Sequence, residues 1–353
     1  MGDVQTFRIG DRRIGRDVSP FVIAEISANH GGSLDGALAI VDAAAEAGAD
    51  AVKLQHYRPE TITIRSDLPE FRVGGGTLWD GRQLFDLYAE AMTPWEWTGP
   101  IFERAKQRGL VCFSSPFDYS AVDFLESFGV EAYKIASFEL VDLPLVRYVA
   151  STGKPMIMST GMATLAEIDA AVDAARRAGC SSIALLRCNS GYPAEPSEMD
   201  LAAIPVMRDR YSCEIGLSDH TLDSTASIAA VALGASILEK HLIISRSDGG
   251  PDSAFSSEPG ELEALVRQVR TAWTSIGQAR FGPSDREMAS IAFRRSLRVT
   301  RDLEPGHVIT EGDVRSMRPA GGLPPQDLDN LLGRVVQRRL VVGAAITWGD
   351  LEV

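Results

Sequence analysis

The sequence has little that would suit a nucleic-acid-binding or membrane protein. Its 353 residues carry a formal net charge of −13, which opposes binding to DNA, RNA or an anionic lipid surface. No apolar run is long enough to span a bilayer, and the opening residues MGDVQTFR lack the apolar core of a secretion signal. We therefore expect a cytoplasmic protein that has neither nucleic-acid nor membrane partners.

Cysteine is also scarce. The four cysteines show neither a CxxC pair nor the regular spacing of a disulfide framework. Three of them lie inside apolar, strand-like runs, where a reduced and buried thiol is the ordinary interpretation. This interpretation suits a reducing compartment. The cysteines are Cys112, Cys180, Cys188 and Cys213.

Short apolar runs alternate with Ala-rich amphipathic segments from the start of the chain to about residue 280. About eight strand–helix units in about 260 residues are what a closed (β/α)8 TIM barrel requires. The alternative is an open doubly wound sheet, but the turn after the first run, EISANHGGS, lacks the GxGxxG spacing of that fold. We therefore predict an α/β protein built on a TIM barrel. The eight runs begin at Val22, Ala51, Leu110, Ala132, Pro155, Ser182, Cys213 and Ser236.

Two segments interrupt this alternation. An insertion that contains three successive glycines and Trp79 runs from Arg58 to about Arg82, and such a long loop usually forms a lid or a binding loop. Beyond Gly282-Pro283-Ser284 the alternation stops, and short β-like pieces between turn signals indicate a small separate domain. The predicted divisions are the barrel at residues 1–281, a linker at 282–294 and the small domain at 295–353.

Polar side chains collect at the carboxyl ends of the predicted strands, which is where active sites form in TIM barrels. Two of the five histidines, His220 and His241, fall at the ends of the adjacent strands seven and eight. Two imidazoles with open positions suit a labile divalent metal such as Mn²⁺. Two hydrogen-bonded histidines without a metal would fit the same spacing equally well.

Two lysines, Lys53 and Lys134, also belong to strands that should face the lumen. A buried ammonium needs an anion, and ion pairs with Glu25 and Glu139 would provide one. The other explanation is a bound phosphate and carboxylate that both lysines hold, with serine hydroxyls donating hydrogen bonds. A barrel lysine can also form a Schiff base, so an aldolase or lyase with Lys134 as the nucleophile is a rival enzyme. The serines are Ser115, Ser137, Ser159 and Ser218.

The chain contains, in this order, the motifs AEISANHGG, DAVKLQ, CFSSPFD, AYKIASFE, STGM, GLSDHT and EKH. Together these motifs resemble those of a known family, the sialic acid synthases, which include the N-acetylneuraminate, legionaminate and pseudaminate synthases. The resemblance covers essentially the whole chain, and its tail, from Arg295 to Trp348-Gly-Asp, is similar to the antifreeze-protein-like (SAF) β-clip domain that ends these enzymes. It implies a metal-dependent transferase that condenses phosphoenolpyruvate with an N-acetylated amino sugar, giving a nine-carbon sugar acid and phosphate. It also implies a domain-swapped homodimer.

The resemblance implies roles for individual residues. His220 and His241 would bind the metal, with Mn²⁺ expected and Mg²⁺ or Co²⁺ as alternatives, and Glu25, Glu139 and Lys53 would act in catalysis. The family's asparagine after the sixth strand corresponds to Asn189 or to Ser190. The implied phosphoenolpyruvate-binding residues are Lys53, Ser115, Lys134, Ser137, Ser159, Asn189, Ser190 and Ser218, and the implied sugar-binding residues are Gln55, Tyr192, Asp252 and Arg318 of the partner subunit.

Some segments, among them the insertion GGGTLWDGRQLFDLYAEAMTPWEW and the motif ISANHGG, look closer to the pseudaminate branch of the family. That branch implies a 2,4-diacetamido-2,4,6-trideoxy hexose (6-deoxy-AltdiNAc) as the substrate, with Trp79 as an apolar lid. Packing of the insertion onto the barrel would explain Trp79 equally well. N-acetylneuraminate or legionaminate synthesis is the alternative. One departure is Ala292-Phe293-Arg294, where the family often has a Phe near the start of the tail, so that contact does not carry over.

A third hypothesis is a non-catalytic carbohydrate-binding or coat-assembly protein that keeps a decayed barrel. The complete set of Glu25, Lys53, Lys134, His220 and His241 opposes it, because a decayed site would be free to lose some of these residues.

Overall fold

The computed structural model describes residues 6–352, so the first five residues and Val353 of the predicted domains lie outside the described part. The chain divides into two compact units, one that ends at Gly277 and one that begins at Gln278. Within the described residues, no helix is both long and apolar enough to cross a membrane. All four cysteines are free and buried, as the sequence predicts.

The first unit is a closed barrel of eight parallel strands, which confirms the predicted TIM barrel. A short antiparallel hairpin, β1 (Phe7–Ile9) and β2 (Arg12–Ile14), precedes it. Each predicted apolar run supplies one barrel strand. The strands are β3 (Phe21–Glu25), β4 (Ala51–His56), β5 (Val111–Pro116), β6 (Tyr133–Ile135), β7 (Met156–Ser159), β8 (Ile183–Cys188), β9 (Glu214–Asp219) and β10 (Ile237–His241).

Amphipathic helices surround these strands and bury their apolar faces against them. Their ends follow local sequence signals: Ser33 accepts a hydrogen bond from a backbone N–H at the start of the first helix, and Thr164 and Glu167 form a capping box. Gly48 and Gly179 follow two helix ends with φ of 81° and 101°, which glycine adopts without strain. The helices are α1 (Leu34–Glu46), α2 (Pro59–Ile62), α3 (Leu84–Ala91), α4 (Thr98–Gln107), α5 (Tyr119–Glu126), α6 (Leu143–Ala150), α7 (Leu165–Arg177), α8 (Ala203–Tyr211), α9 (Thr225–Ala232) and α10 (Pro259–Ile276).

The strand register places charged residues from neighbouring strands at one level of the barrel. His241 of β10 pairs with Glu25 of β3, and Glu25 in turn pairs with Lys53 of β4. Residues that are paired across neighbouring parallel strands point to the same side of the sheet. The register therefore gathers these three side chains at the carboxyl end of the lumen.

The insertion after β4 has a defined structure of its own. Besides α2, it contains a 3₁₀ turn at Pro69–Phe71 and a bridge between Arg72 and Gln83. Asp80 accepts hydrogen bonds from the backbone of Thr77, which closes the tip of the loop. The insertion therefore has regular local structure and internal hydrogen bonds of its own.

The second unit is small and rich in turns, with β11 (Ser296–Val299) and β12 (Val314–Met317) antiparallel and a short α11 (Leu328–Leu331). The 3₁₀ helix Met288–Phe293 occupies the predicted linker and belongs to this unit. The apolar side chains form a separate core. Its members are Leu297, Val299, Leu303, Ile309, Val314, Leu323, Leu331, Val336, Leu340, Ile346 and Leu351.

An internal repeat, which the sequence analysis missed, organises this second unit. The segments RDLEPGHVITEGDV and RRLVVGAAITWGDL share the pattern RxLxxGxxITxGD followed by an apolar residue. In each copy the final Asp accepts hydrogen bonds from the Thr three residues earlier and pairs with the first Arg of the segment. The equivalent leucines, Leu303 and Leu340, exchange both backbone hydrogen bonds. The two copies therefore pair as equivalent halves of one small core.

Candidate active site

Four buried charges form the centre of the barrel mouth. Lys53 forms an ion pair with Glu25, and its ammonium also lies 3.6 Å from a carboxylate oxygen of Glu239. The Lys134 ammonium lies 3.7 Å from the other oxygen of the same carboxylate. Glu239 is 4% exposed and bridges the two lysines. A negative charge between two ammonium groups offsets the cost of burying both.

One alternative from the sequence was that ion pairs with Glu25 and Glu139 satisfy the lysines. It is correct for Lys53 and wrong for Lys134, whose carboxylate partner is Glu239. No ion pair of Glu139 is found among the described residues, and one oxygen of Glu139 is buried without a hydrogen-bond partner. The reason is geometric, because Glu139 follows β6 beyond its carboxyl end, whereas Glu239 lies within β10.

Burial and charge shift the pKa values of this cluster in different directions. Burial raises the pKa of Glu25 to about 7, against the opposing effect of Lys53. Burial also lowers the pKa of Lys134. Burial disfavours the ionised form of Glu239, but Lys134 and Lys53 outweigh it and lower the pKa of this carboxyl. The Glu239 carboxyl therefore stays ionised in the cluster, while the Glu25 carboxyl can exchange a proton near neutral pH.

Serine hydroxyls surround the two ammonium groups. Lys53 donates to Ser115 over 3.2 Å, and Lys134 donates to Ser159 over 2.6 Å. Ser218 donates to Glu239 over 3.0 Å. The predicted serines of β5, β7 and β9 thus lie next to the lysines, and their hydroxyls can turn toward an incoming anion.

Two further serines converge above Gly161, just after β7. Ser137 accepts a hydrogen bond from the backbone N–H of Gly161 over 3.1 Å. A Cβ atom at position 161 would collide with the hydroxyls of Ser137 and Ser190, so glycine is needed there. The Ser190 hydroxyl is buried and has no hydrogen-bond partner among the described residues. It is thus available to a ligand.

The side chain of Asn189 is used elsewhere. Its amide donates to the backbone carbonyl of Glu198, and its carbonyl oxygen accepts from the backbone N–H of Gly191. Only the backbone oxygen of Asn189 reaches the mouth, where it lies 2.7 Å from Nδ1 of His220. Of the two residues that the sequence left open, Ser190 presents the free side chain.

The two predicted histidines meet at the mouth, with ring centroids 5.4 Å apart. Nδ1 of His220 donates to the Asn189 carbonyl, so in the neutral form of this imidazole Nε2 is the unprotonated nitrogen. Burial lowers the pKa of His220, but Cys188 and the Asn189 carbonyl outweigh it and raise the pKa above its usual value. Nδ1 of His241 is buried without a hydrogen-bond partner, 3.7 Å from an oxygen of Asp252. Burial holds the pKa of His241 well below its usual value, so this imidazole is neutral.

Neutral imidazoles with a free nitrogen are suitable ligands for a divalent metal. Within residues 6–352, no three His, Cys, Asp or Glu side chains are grouped closely enough to hold a metal by themselves. The residues present fit an ion that takes two protein nitrogens and completes its coordination with substrate and water. The orphaned Nδ1 of His241 is the observation that supports this fit.

Aromatic rings form one wall beside the histidines. The Tyr192 ring lies 4.5 Å from that of His220, and Phe255 lies 4.9 Å from His241, between centroids. Trp79 of the insertion lies 5.6 Å from Tyr192 and donates its indole N–H to the backbone of Pro251 over 2.8 Å. The insertion therefore packs on the barrel through Trp79 and also covers the side of the mouth that Tyr192 lines.

The predicted sugar-binding residues fall into two groups. Gln55 donates to the hydroxyl of Ser27 over 2.7 Å, and Asp252 accepts from the backbone N–H of Ala28 over 3.3 Å, so both lie at the end of β3 near the histidines. Arg318 is an exposed residue of the second unit.

The sequence analysis did not assign Glu239, Phe255 or Ser27. Glu239 could have been found from the period of a strand, because Glu239 and His241 must point to one side and Lys240 to the other. Lys240 indeed pairs with Asp219 over 3.2 Å on the outside of the barrel. No comparable pattern marks Phe255, which ends the short 3₁₀ helix Ser253–Phe255, or Ser27, which lies in the turn after β3.

Comparisons with known proteins find matches to both parts of the chain. Residues 40–281 match the NeuB family, and residues 294–352 match the SAF domain. A pseudaminic acid synthase of Campylobacter jejuni is 40% identical, over 95% of this chain and 98% of its own. A pseudaminic acid synthase of Helicobacter pylori is 38% identical, over 94% and 98%. The crystal structure of an N-acetylneuraminic acid synthetase from Leptospira borgpetersenii is similar with a TM-score of 0.73 and 32% identity, over 82% of this chain and 95% of that one.

Proposed function

The chain belongs to the NeuB family, and on that basis we propose that it is a pseudaminic acid synthase. It is an enzyme that joins phosphoenolpyruvate to an amino sugar, giving a nine-carbon sugar acid and phosphate. The proposed sugar is the 2,4-diacetamido-2,4,6-trideoxy hexose 6-deoxy-AltdiNAc. Support for it comes from identities of 38–40% with two pseudaminic acid synthases, against 32% with the N-acetylneuraminic acid synthetase. Synthesis of N-acetylneuraminate or legionaminate is the alternative.

The convergence of Lys53 and Lys134 on one buried carboxylate supports an anion-binding role more than any other observation. Phosphoenolpyruvate brings a phosphate and a carboxylate, and the two ammonium groups that converge on Glu239 are the cations placed to bind these anionic groups. In this proposal the serine hydroxyls of the mouth donate to the phosphate. These are Ser115, Ser137, Ser159, Ser190 and Ser218.

The proposed place of the sugar is the aromatic side of the mouth, where Tyr192 and Asp252 lie next to the histidine pair and Gln55 donates to Ser27. In the reaction, C3 of phosphoenolpyruvate attacks the aldehyde carbon, water adds at C2, and phosphate leaves with cleavage of the C–O bond. Glu25, whose pKa burial raises to about 7, can deliver a proton to the developing alkoxide of the sugar. Glu139, with an orphaned oxygen, can orient the attacking water.

His220 and His241 are the proposed ligands of a divalent metal, with Mn²⁺ preferred and Mg²⁺ or Co²⁺ as alternatives. When bound, such an ion supplies Lewis acidity for the sugar aldehyde. The chain's own contribution is to keep His241 neutral by burial and to orient His220 through the Asn189 carbonyl.

We further propose a homodimer in which Arg318 of the partner subunit contacts the sugar. Location in the cytoplasm is also part of the proposal, and the four free thiols suit its reducing conditions.

The function is tested by incubating the enzyme with phosphoenolpyruvate, Mn²⁺ and each candidate amino sugar. Product is identified by mass, and phosphate release is measured in parallel. We expect one phosphate for each product formed, with 6-deoxy-AltdiNAc as the preferred sugar. If the enzyme prefers the sugar of the neuraminate or legionaminate route, the corresponding sugar acid replaces the proposed product. If the enzyme condenses none of the sugars, the proposal that it is a synthase is rejected.

The buried Lys134, with its lowered pKa, also meets a requirement for Schiff-base chemistry. Borohydride reduction in the presence of pyruvate separates this candidate from the synthase. A covalent adduct on Lys134 would favour an aldolase or lyase. Phosphate release without adduct formation favours the synthase.

Metal dependence is a separate prediction. We expect treatment with a chelator to abolish turnover and Mn²⁺ to restore it. We expect His241→Ala to reduce kcat at least about 100-fold and to lose bound metal, because one of two protein ligands is gone. Metal content and circular dichroism are measured on the same samples, and full activity of a folded His241→Ala variant would contradict the metal role.

A further inference from the structure

Ser27, directly beyond β3, has a left-handed backbone at a point where three functional side chains meet. Its φ is 45°, in the region that glycine enters freely and other residues enter only at a cost. Ser27 is also 4% exposed, so the site is not a surface turn. Strained non-glycine residues persist where the surrounding contacts hold them in place, and such residues concentrate at functional sites.

The contacts that hold Ser27 all lead to the mouth of the barrel. Its backbone N–H donates to the Glu25 carboxylate over 2.9 Å. Its hydroxyl accepts from Nε2 of Gln55 over 2.7 Å. The next backbone N–H, that of Ala28, donates to Asp252 over 3.3 Å. One two-residue segment therefore connects Glu25, Gln55 and Asp252.

The hydrogen bond to Gln55 has a chemical consequence. Because Nε2 of Gln55 donates to Ser27, the side-chain amide is oriented so that its oxygen can accept a hydrogen bond from a ligand. Asp252 likewise offers a carboxylate oxygen, because only one of its two oxygens accepts from Ala28. The segment thus aligns a set of acceptors, which suits the O–H and amide N–H groups of an N-acetylated sugar and not an anion.

We infer that Ser27 is a positioning residue for the amino sugar, acting by fixing the orientation of Gln55 through its hydroxyl. The inference rests on the proposed function, since it assigns Ser27 to the sugar half of that site. A glycine at this position would adopt the same backbone with less strain but would leave the Gln55 amide free to turn.

Two variants of Ser27 and one matched control test the inference. Ser27→Gly removes both the hydroxyl and the strain, while Ser27→Ala removes the hydroxyl and keeps the strain. Ser212, which ends α8 with φ of 49°, is the control position, because it precedes β9 at the opposite end of the barrel. Ser212→Gly relieves the same kind of strain without touching the mouth.

We expect Ser27→Gly to raise the KM for the amino sugar about tenfold, the loss that one hydrogen bond to an uncharged group accounts for. The KM for phosphoenolpyruvate should stay within about twofold, because the lysine cluster is unchanged. We expect the melting temperature of Ser27→Gly to equal or exceed that of the wild type. The melting temperature of Ser27→Ala should be lower than that of Ser27→Gly, because alanine keeps the strained backbone. Ser212→Gly should leave both KM values unchanged.

A wild-type KM for the sugar in Ser27→Gly, or an equal rise of both KM values, would overturn the role of Ser27. The proposed function fails separately, and the inference with it, if the wild-type enzyme releases no phosphate with any candidate sugar. If the wild-type enzyme is active and Ser27→Gly keeps the wild-type KM for the sugar, only the present inference fails.

Discussion

At the scale of single residues, neighbours in one strand have opposite surroundings. Glu239 and His241 of β10 face the mouth, while Lys240 between them points outward to Asp219. The period of two along a strand makes this division unavoidable. The motif EKH therefore supplies one anion and one imidazole to the site, and its lysine stabilises the barrel from outside.

Glu139 gives a pH-dependent prediction at this scale. Burial raises its pKa to about 7. A carboxyl whose pKa is raised in the folded state favours folding at low pH, and this contribution is lost as the pH rises from about 4.5 to about 7. We expect Glu139→Gln, which stays neutral, to be more stable than wild type by about 1–2 kcal/mol at pH 8 and equally stable near pH 4.5.

Urea unfolding at the two pH values measures this difference. Glu263→Gln, at an exposed position of α10, is the control and should show no such gain. Equal stability of Glu139→Gln and wild type at pH 8 would mean that the Glu139 carboxyl is not destabilised by burial.

At the scale of elements, one indole joins the insertion between β4 and α3 to the side of the barrel mouth. Trp79 combines a hydrogen bond to Pro251 with packing on Tyr192, whereas the tip of the loop bonds only to itself. The insertion should therefore open as a unit when this contact is lost.

We expect Trp79→Ala to speed amide hydrogen exchange in residues 58–83 by about 10- to 100-fold, since the local stabilisation of about 1–3 kcal/mol disappears. Trp79→Phe keeps an aromatic ring but loses the hydrogen bond, and its effect should be smaller. Exchange measured by mass spectrometry gives both values.

Trp273→Ala is a suitable control, because Trp273 donates a similar indole bond to the Arg16 carbonyl and has no part in the insertion. Unchanged exchange of the insertion in Trp79→Ala would show that Trp79 does not hold the insertion closed.

At the scale of the whole molecule, the lysines of the mouth act inside a chain of negative net charge. The chain carries −13 overall, and the two buried ammonium groups of the mouth are already paired with Glu25 and Glu239. An anionic substrate must therefore be bound by local cations against an unfavourable overall field.

The proposed dimer gives a prediction at this scale. His241→Ala disables the barrel, and Arg318→Ala disables the second domain. If Arg318 of the partner subunit completes each site, a heterodimer of the two variants has one complete site, and we expect about half the wild-type activity. Co-expression with two tags isolates the heterodimer, while each variant alone is the inactive reference. An inactive heterodimer would contradict a site shared between subunits.

Much of the fold and of the site could be predicted from the sequence by itself. The alternation of apolar runs and amphipathic segments specifies the barrel, and polar residues at the strand ends locate its mouth, because these are local patterns. The lysines, the serines beside them and the histidine pair followed from the same reasoning and do meet at the mouth. Their chemical roles, the metal and the dimer stay predictions.

Only the tertiary structure decided which residues touch across the lumen. Lys134 meets Glu239 from the far side of the barrel, Ser190 and not the Asn189 side chain lies over Gly161, and Ser27 connects Gln55 to the end of β3. Such contacts depend on strand stagger, side-chain direction and loop conformation around a closed sheet. No local sequence pattern encodes them, because the partners are separated by tens to hundreds of residues along the chain.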